Sequence, residues 1–110
     1  MNIDDLVNSI PEPGLRAQLA QWVEAWKSDD SDSRALSGLI ERWGGHVWFE
    51  DGQAQKEFSE NLERFKKQAI DGIGGMTLNE RLYWFGLFDL WDDADDESRA
   101  RIRRKLGAKP

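Results

Sequence analysis

Residues 77–91 read T-L-N-E-R-L-Y-W-F-G-L-F-D-L-W, and this stretch decides the fold. It opens with a helix start signal. Thr77 stands where an N-cap side chain accepts a backbone N–H, and Glu80, three residues on, can return the favour to the cap's own N–H. Met76 just before it can staple onto the first turn. The residues that follow are apolar or aromatic on most sides, and a helix of that kind is stable only when other elements surround it. We therefore expect a central hydrophobic helix over about 78–91, ended or bent by the acidic run at residues 92–97.

Working outward, the flanking chain offers the stripes needed to cover such a helix. Residues 3–10 place Ile3, Leu6, Val7 and Ile10 at spacings of three and four, with Asn2 as cap and Asp4 and Asp5 at the positive end of the helix dipole. Pro11 and Pro13 make a rigid corner. Residues 14–27 carry Leu15, Leu19, Trp22, Val23 and Trp26 on one face. A polar loop leads to a third helix over 33–43, with Leu36, Leu39, Ile40 and Trp43 inward and Gly44-Gly45 as its expected stop. His46 to Gly52 breaks the rhythm. Its Val-Trp-Phe triplet favours extended structure but has no partner strand, so we expect an irregular, partly buried connector. Asp51 can cap a long helix over 52–70 bearing Ala54, Phe58, Leu62, Phe65 and Ala69. After a glycine-rich turn and the central helix, Asp95 or Asp96 can cap a last helix over 97–106, with Ile102 and Leu106 inward and Gly107 beyond its end. The expected fold is all-α: one domain, residues 1–110, of five or six helices packed around the central one.

The chain lacks cysteine, which excludes disulfides, thiolate metal sites and a cysteine nucleophile. The opening residues have neither the basic nor the apolar segment of a secretory signal, and no apolar run is long enough to cross a bilayer. We expect a cytoplasmic protein with no membrane contact. Net charge is −6, with 15 basic and 21 acidic residues. Six of the basic residues fall between Arg99 and Lys109, where there are no acids, so residues 1–98 hold 21 acids against 9 bases, a net of −12. Such a body repels nucleic acid and complements a basic surface.

Few residues suggest catalysis. His46 is the sole histidine, and one histidine cannot build a multi-histidine metal site or, without a partner, a catalytic triad. Asp89, Asp92, Asp93, Asp95, Asp96 and Glu97 form the densest carboxylate group. They read as a solvated turn, as a patch that docks a basic partner, or as a calcium or magnesium site, although Asp93-x-Asp95 lacks the alternation and the turn glycine of an EF-hand loop. Arg99, Arg101, Arg103, Arg104 and Lys105 resemble a nucleic-acid tail in composition. The basic footprint is short, however, and Arg101 with Arg104 or Lys105 can fold back on Asp92, Asp93 or Asp96. Trp22, Trp26 and Trp43 lie on helix stripes and are expected in the core. Trp48, in the connector, is the candidate for an exposed aromatic anchor. The surplus of Tyr83, Trp84, Phe85, Phe88 and Trp91 must either be enclosed or leave an aromatic side for a partner.

Met76-Thr77-x-Asn79-Glu80-Arg81-Leu82, followed by Gly86-Leu87-x-Asp89-x-Trp91-Asp92, resembles the opening of a group of small bacterial proteins that carry this pattern at or near the N-terminus. In size, acidity and tryptophan content the whole chain is similar to the small immunity proteins of bacterial toxin systems. That resemblance implies a binding protein rather than an enzyme, without cofactor, which neutralises a basic toxin domain, such as a nuclease, by occlusion. Asp89, Asp92, Asp93, Asp95, Asp96 and Glu97 are the expected contact surface, with Trp48 as anchor. The other readings are an acidic inhibitor or nucleic-acid mimic of phage type, a metal-dependent enzyme using the aspartates, and a structural subunit of a larger assembly.

Overall fold

The computed structural model describes residues 1–107; Lys109 of the basic group and Pro110 lie outside them. The described chain is an all-α bundle of seven α-helices: α1 (Ile3–Asn8), α2 (Pro13–Ser28), α3 (Ser33–His46), α4 (Gly52–Phe65), α5 (Leu78–Trp84), α6 (Phe88–Asp93) and α7 (Asp96–Lys105). A π-helical turn (Lys66–Asp71) prolongs α4, and a 3-10 turn (Ile73–Gly75) leads to α5. Among the described residues no helix is long and apolar enough to cross a membrane.

Helix starts follow local side-chain chemistry. Asn2 and Asp5 form a capping box on α1, and Thr77 and Glu80 form another on α5. Asp32, Asp51 and Asp95 cap α3, α4 and α7 by accepting the N–H groups of Ala35, Gln53 and Ser98. Each such cap stabilises its helix by about 1 kcal/mol. Pro13, expected only to help break the chain, is the first residue of α2, where its missing N–H costs nothing. Gly44-Gly45 does not stop α3, which runs on to His46. Positive φ occurs only at Gly86 and Gly107 among the described residues, so neither Gly44 nor Gly45 adopts the left-handed conformation that terminates helices.

The core is continuous. Ile3, Leu6, Val7 and Ile10 from α1 meet Leu19, Val23 and Trp26 from α2, Leu36, Ile40 and Trp43 from α3, and Phe58, Leu62 and Phe65 from α4. Two aromatic groups organise it. Trp43, Phe49 and Phe58 pack together at one end, and Trp26, Phe65 and Phe85 at the other, with centroid separations of 5.7–6.2 Å and 5.8 Å. Trp43 Nε1 is buried without a hydrogen-bond partner. Trp22 is not a core residue; it stands at the edge of α2, exposed, while Trp26 one turn on is buried.

The expected central helix is two helices. α5 ends at Trp84, Gly86 turns the chain at φ 65°, and α6 starts at Phe88. The Leu87 N–H donates to the Leu82 carbonyl across this turn at 2.9 Å. Leu82, Phe85 and Leu87 are fully buried and remain the hydrophobic centre. α6 buries none of its residues.

Candidate functional site

Helix α6 lies on the surface and displays apolar and acidic side chains together. Tyr83 just before it is 47% exposed, Phe88 39% and Leu90 41%. Asp89, Asp92 and Asp93 are spaced i, i+3, i+4 and so share one face of α6. On one side a shallow depression is lined by Asp4, Tyr83, Phe88 and Asp89. On the other, a groove of about 280 Å³ is lined by Lys27, Leu90, Asp93, Ser98, Arg101 and Ile102. The helix is thus a ridge between two hollows.

The basic residues of α7 form no ion pair with the acids of this ridge. Arg101 pairs with Asp30 at 3.4 Å and Lys105 with Asp29 at 2.9 Å, both in the α2–α3 loop. The fold-back onto Asp92, Asp93 or Asp96 expected from sequence spacing does not form. Lys105 is buried, donates to the Asp29 and Ser31 carbonyls as well as the Asp29 carboxylate, and stands 4.3 Å from the Trp26 ring centroid. Arg99 and Arg103 flank the Trp91 ring at 4.9 and 5.0 Å, and Arg99 Nε donates to the Trp91 carbonyl. Four cations of the terminal segment are therefore engaged within the fold.

The acids of the ridge are left unpaired. Among the described residues, Asp89, Asp92, Asp93, Asp96 and Glu97 make no side-chain hydrogen bond or ion pair; elsewhere only Glu50, Glu60 and Asp71 are as free. Asp95 is the exception in the run. It accepts the Ser98 N–H at 2.8 Å, chiefly through which its carboxyl is held below the usual range. Asp96 and Glu97 sit in the first turn of α7, and Asp89 in that of α6, where backbone N–H groups favour negative charge. Asp92 and Asp93 occupy the carbonyl end of α6, where the dipole disfavours them. Among the described residues no hydrogen bond or ion pair offsets this for either side chain.

Trp48 is 86% exposed, as an anchor requires, but it stands elsewhere. Its neighbour Glu50 donates its N–H to Glu12 at the start of α2, whereas the acidic ridge borders Lys27 and Ser28 at the end of α2. With 16 residues, α2 is about 24 Å long. The expected contact surface is therefore split: the acids and Trp48 lie at opposite ends of one helix. The residues that join the acids are instead Tyr83, Phe88 and Leu90.

His46 is exposed, and its Nδ1 lies 2.7 Å from the Arg42 carbonyl in its own helix. Among the described residues, no three histidine, aspartate or glutamate side chains are arranged to hold a metal ion. No family model, curated protein or solved structure matches the chain.

Proposed function

We propose that this is a binding protein of the immunity type, which occludes a basic protein domain, most simply a bacterial toxin, through the ridge formed by α6 and the start of α7. The observation that carries this reading is the pairing of Asp92 and Asp93, unpaired and at the wrong end of their helix, with exposed Phe88 and Leu90 beside them. Carboxylates supply attraction at a distance and exclude acidic partners. Exposed aromatics supply the desolvated contact that holds a complex together. The cytoplasm is the compartment in which such a protein would guard its own cell.

The clustering of the free acids on one ridge favours a compact protein partner over mimicry of nucleic acid, whose phosphates run in an extended track. The test is co-expression with the product of a neighbouring reading frame. If that product is toxic and basic, this chain should restore growth and co-elute with it as a stable complex. Growth arrest despite full expression of this chain, with no complex on size exclusion, would remove the reading.

A further inference from the structure

A second feature lies away from the acidic ridge and has the opposite sign. The first turn of α3, the 3-10 turn, the middle of α5 and the end of α7 enclose a pocket of about 230 Å³ lined by Ser33, Arg34, Gly74, Arg81 and Arg104. Three guanidinium groups share it in a chain of net charge −6.

The walls are held in place by bonds that do not use up the pocket's donors. Arg81 is fixed by donating Nε to the Met76 carbonyl at 3.2 Å and Nη1 to the Leu106 carbonyl at 2.9 Å. A guanidinium has five N–H groups, so three remain. Among the described residues, Arg34 and Arg104 make no side-chain hydrogen bond or ion pair. Lys105 also lines the pocket and is locked onto the α2–α3 loop, which sets the position of α7 against α3. The one carboxylate in the lining, Asp32, has Oδ1 committed to the Ala35 N–H.

The backbone adds to this. Asp32 caps α3 through Ala35, which leaves the N–H groups of Ser33 and Arg34, the first two of the helix, without an intrahelical acceptor. Ser33 itself is 6% exposed, and its hydroxyl has no hydrogen-bond partner among the described residues. The Ser33 hydroxyl, the free helix N–H groups, the anchored fork of Arg81 and the unpaired guanidinium groups of Arg34 and Arg104 bring many donors to one small hollow.

We propose that this pocket binds a small oxyanion of the phosphate class, carried on a small molecule rather than on a nucleic acid. Its volume falls below the roughly 300–1,000 Å³ of drug-sized ligand sites. It therefore suits one phosphate or pyrophosphate group, and the acidic surface elsewhere repels a polyanionic strand. The site is independent of the acidic ridge, so one can fail without the other.

The test is an amide NMR titration of the full chain with inorganic phosphate and with pyrophosphate at constant ionic strength. Saturable shifts are expected at Ser33, Arg34, Gly74 and Arg81, stronger with pyrophosphate. Neither Arg34 nor Arg104 is buried, so Arg34→Gln with Arg104→Gln should leave the spectrum folded and weaken binding by about tenfold or more. Arg34→Lys, which keeps the charge and loses the fork, should weaken it less, and Arg42→Gln on the same helix should change nothing. The proposal is overturned if no saturable shift appears up to about 10 mM, if shifts map outside the pocket, or if binding survives the double substitution.

Discussion

Helices α5 and α6 come from one continuous apolar stretch, yet α5 and the turn after it send Leu82, Phe85 and Leu87 into the core, while α6 leaves Phe88 and Leu90 partly in solvent. Hydrophobicity does not separate the two. The backbone at Gly86 does. An unbroken helix would carry the apolar side chains round at about 100° per residue, toward all sides, and would need partners on all of them. The turn at positive φ re-aims the chain so that Leu87 completes the core and α6 leaves it. A glycine also fits there for want of space. A Cβ on Gly86 would collide with the Asp4 carboxylate and lie 2.9 Å from Lys27 Nζ. Those two side chains form an ion pair at 2.8 Å. Burial alone would depress the Lys27 pKa, but the bonds and charges of Asp4 and Glu24 outweigh it and raise it. The turn therefore sits against one of the fold's few buried charges.

This contrast can be broken in graded ways. Phe85→Ala removes a fully buried ring that touches Trp26 and Phe65, and should cost about 3–5 kcal/mol in chemical denaturation. Gly86→Ala should cost about 2 kcal/mol, from the left-handed backbone and displacement of the Asp4–Lys27 pair. Phe88→Ala, three residues after the first site, should cost less than about 1 kcal/mol. Equal losses at Phe85 and Phe88 in the same urea titration would show that α6 belongs to the core after all.

Acid should act on the joints around both regions. Asp29 is partly desolvated, which alone would raise its pKa, but hydrogen bonds from Ser31 and Lys105 bring it below the usual value. Glu80 and Asp95 are lowered chiefly by the backbone N–H groups of Thr77 and Ser98. A carboxylate with a depressed folded pKa contributes stability that is full above its unfolded pKa and is lost as pH falls through the folded one. Melting temperature should therefore be flat from neutral pH down to the ordinary carboxylate range and fall below it. Asp95→Asn with Glu80→Gln should flatten that fall.

Much of the fold is legible because its signals are local. The caps at Asn2, Asp51, Thr77 and Asp95 act over two or three residues, and so spacing reveals them. The stripes of α2, α3 and α4 likewise read off directly, apart from Trp22, which lies at the margin of its stripe. The break at Gly86 was marked only by a lone glycine in an apolar run, a signal that is ambiguous until the neighbours Asp4 and Lys27 are in place. The separation of Trp48 from the acids, and the engagement of Arg101 and Lys105 by Asp30 and Asp29, depend on how α7 packs against a loop some 75 residues earlier. No periodicity reports such a pairing. For the same reason the arginine pocket, drawn from four separated segments, was invisible in the sequence.

The measurement that bears most directly on the ridge is the affinity of the complex with the co-expressed basic partner when Asp89, Asp92, Asp93 and Asp96 are changed together to Asn. These side chains make no hydrogen bond or ion pair among the described residues, and three of them share one face of α6. The variant should melt close to the parent, the relief of like-charge repulsion offsetting the lost helix-dipole contacts of Asp89 and Asp96. Its affinity for the partner should drop by about 100-fold or more, with a weaker dependence on salt. A folded variant that binds as tightly as the parent, with the same salt dependence, would contradict the account.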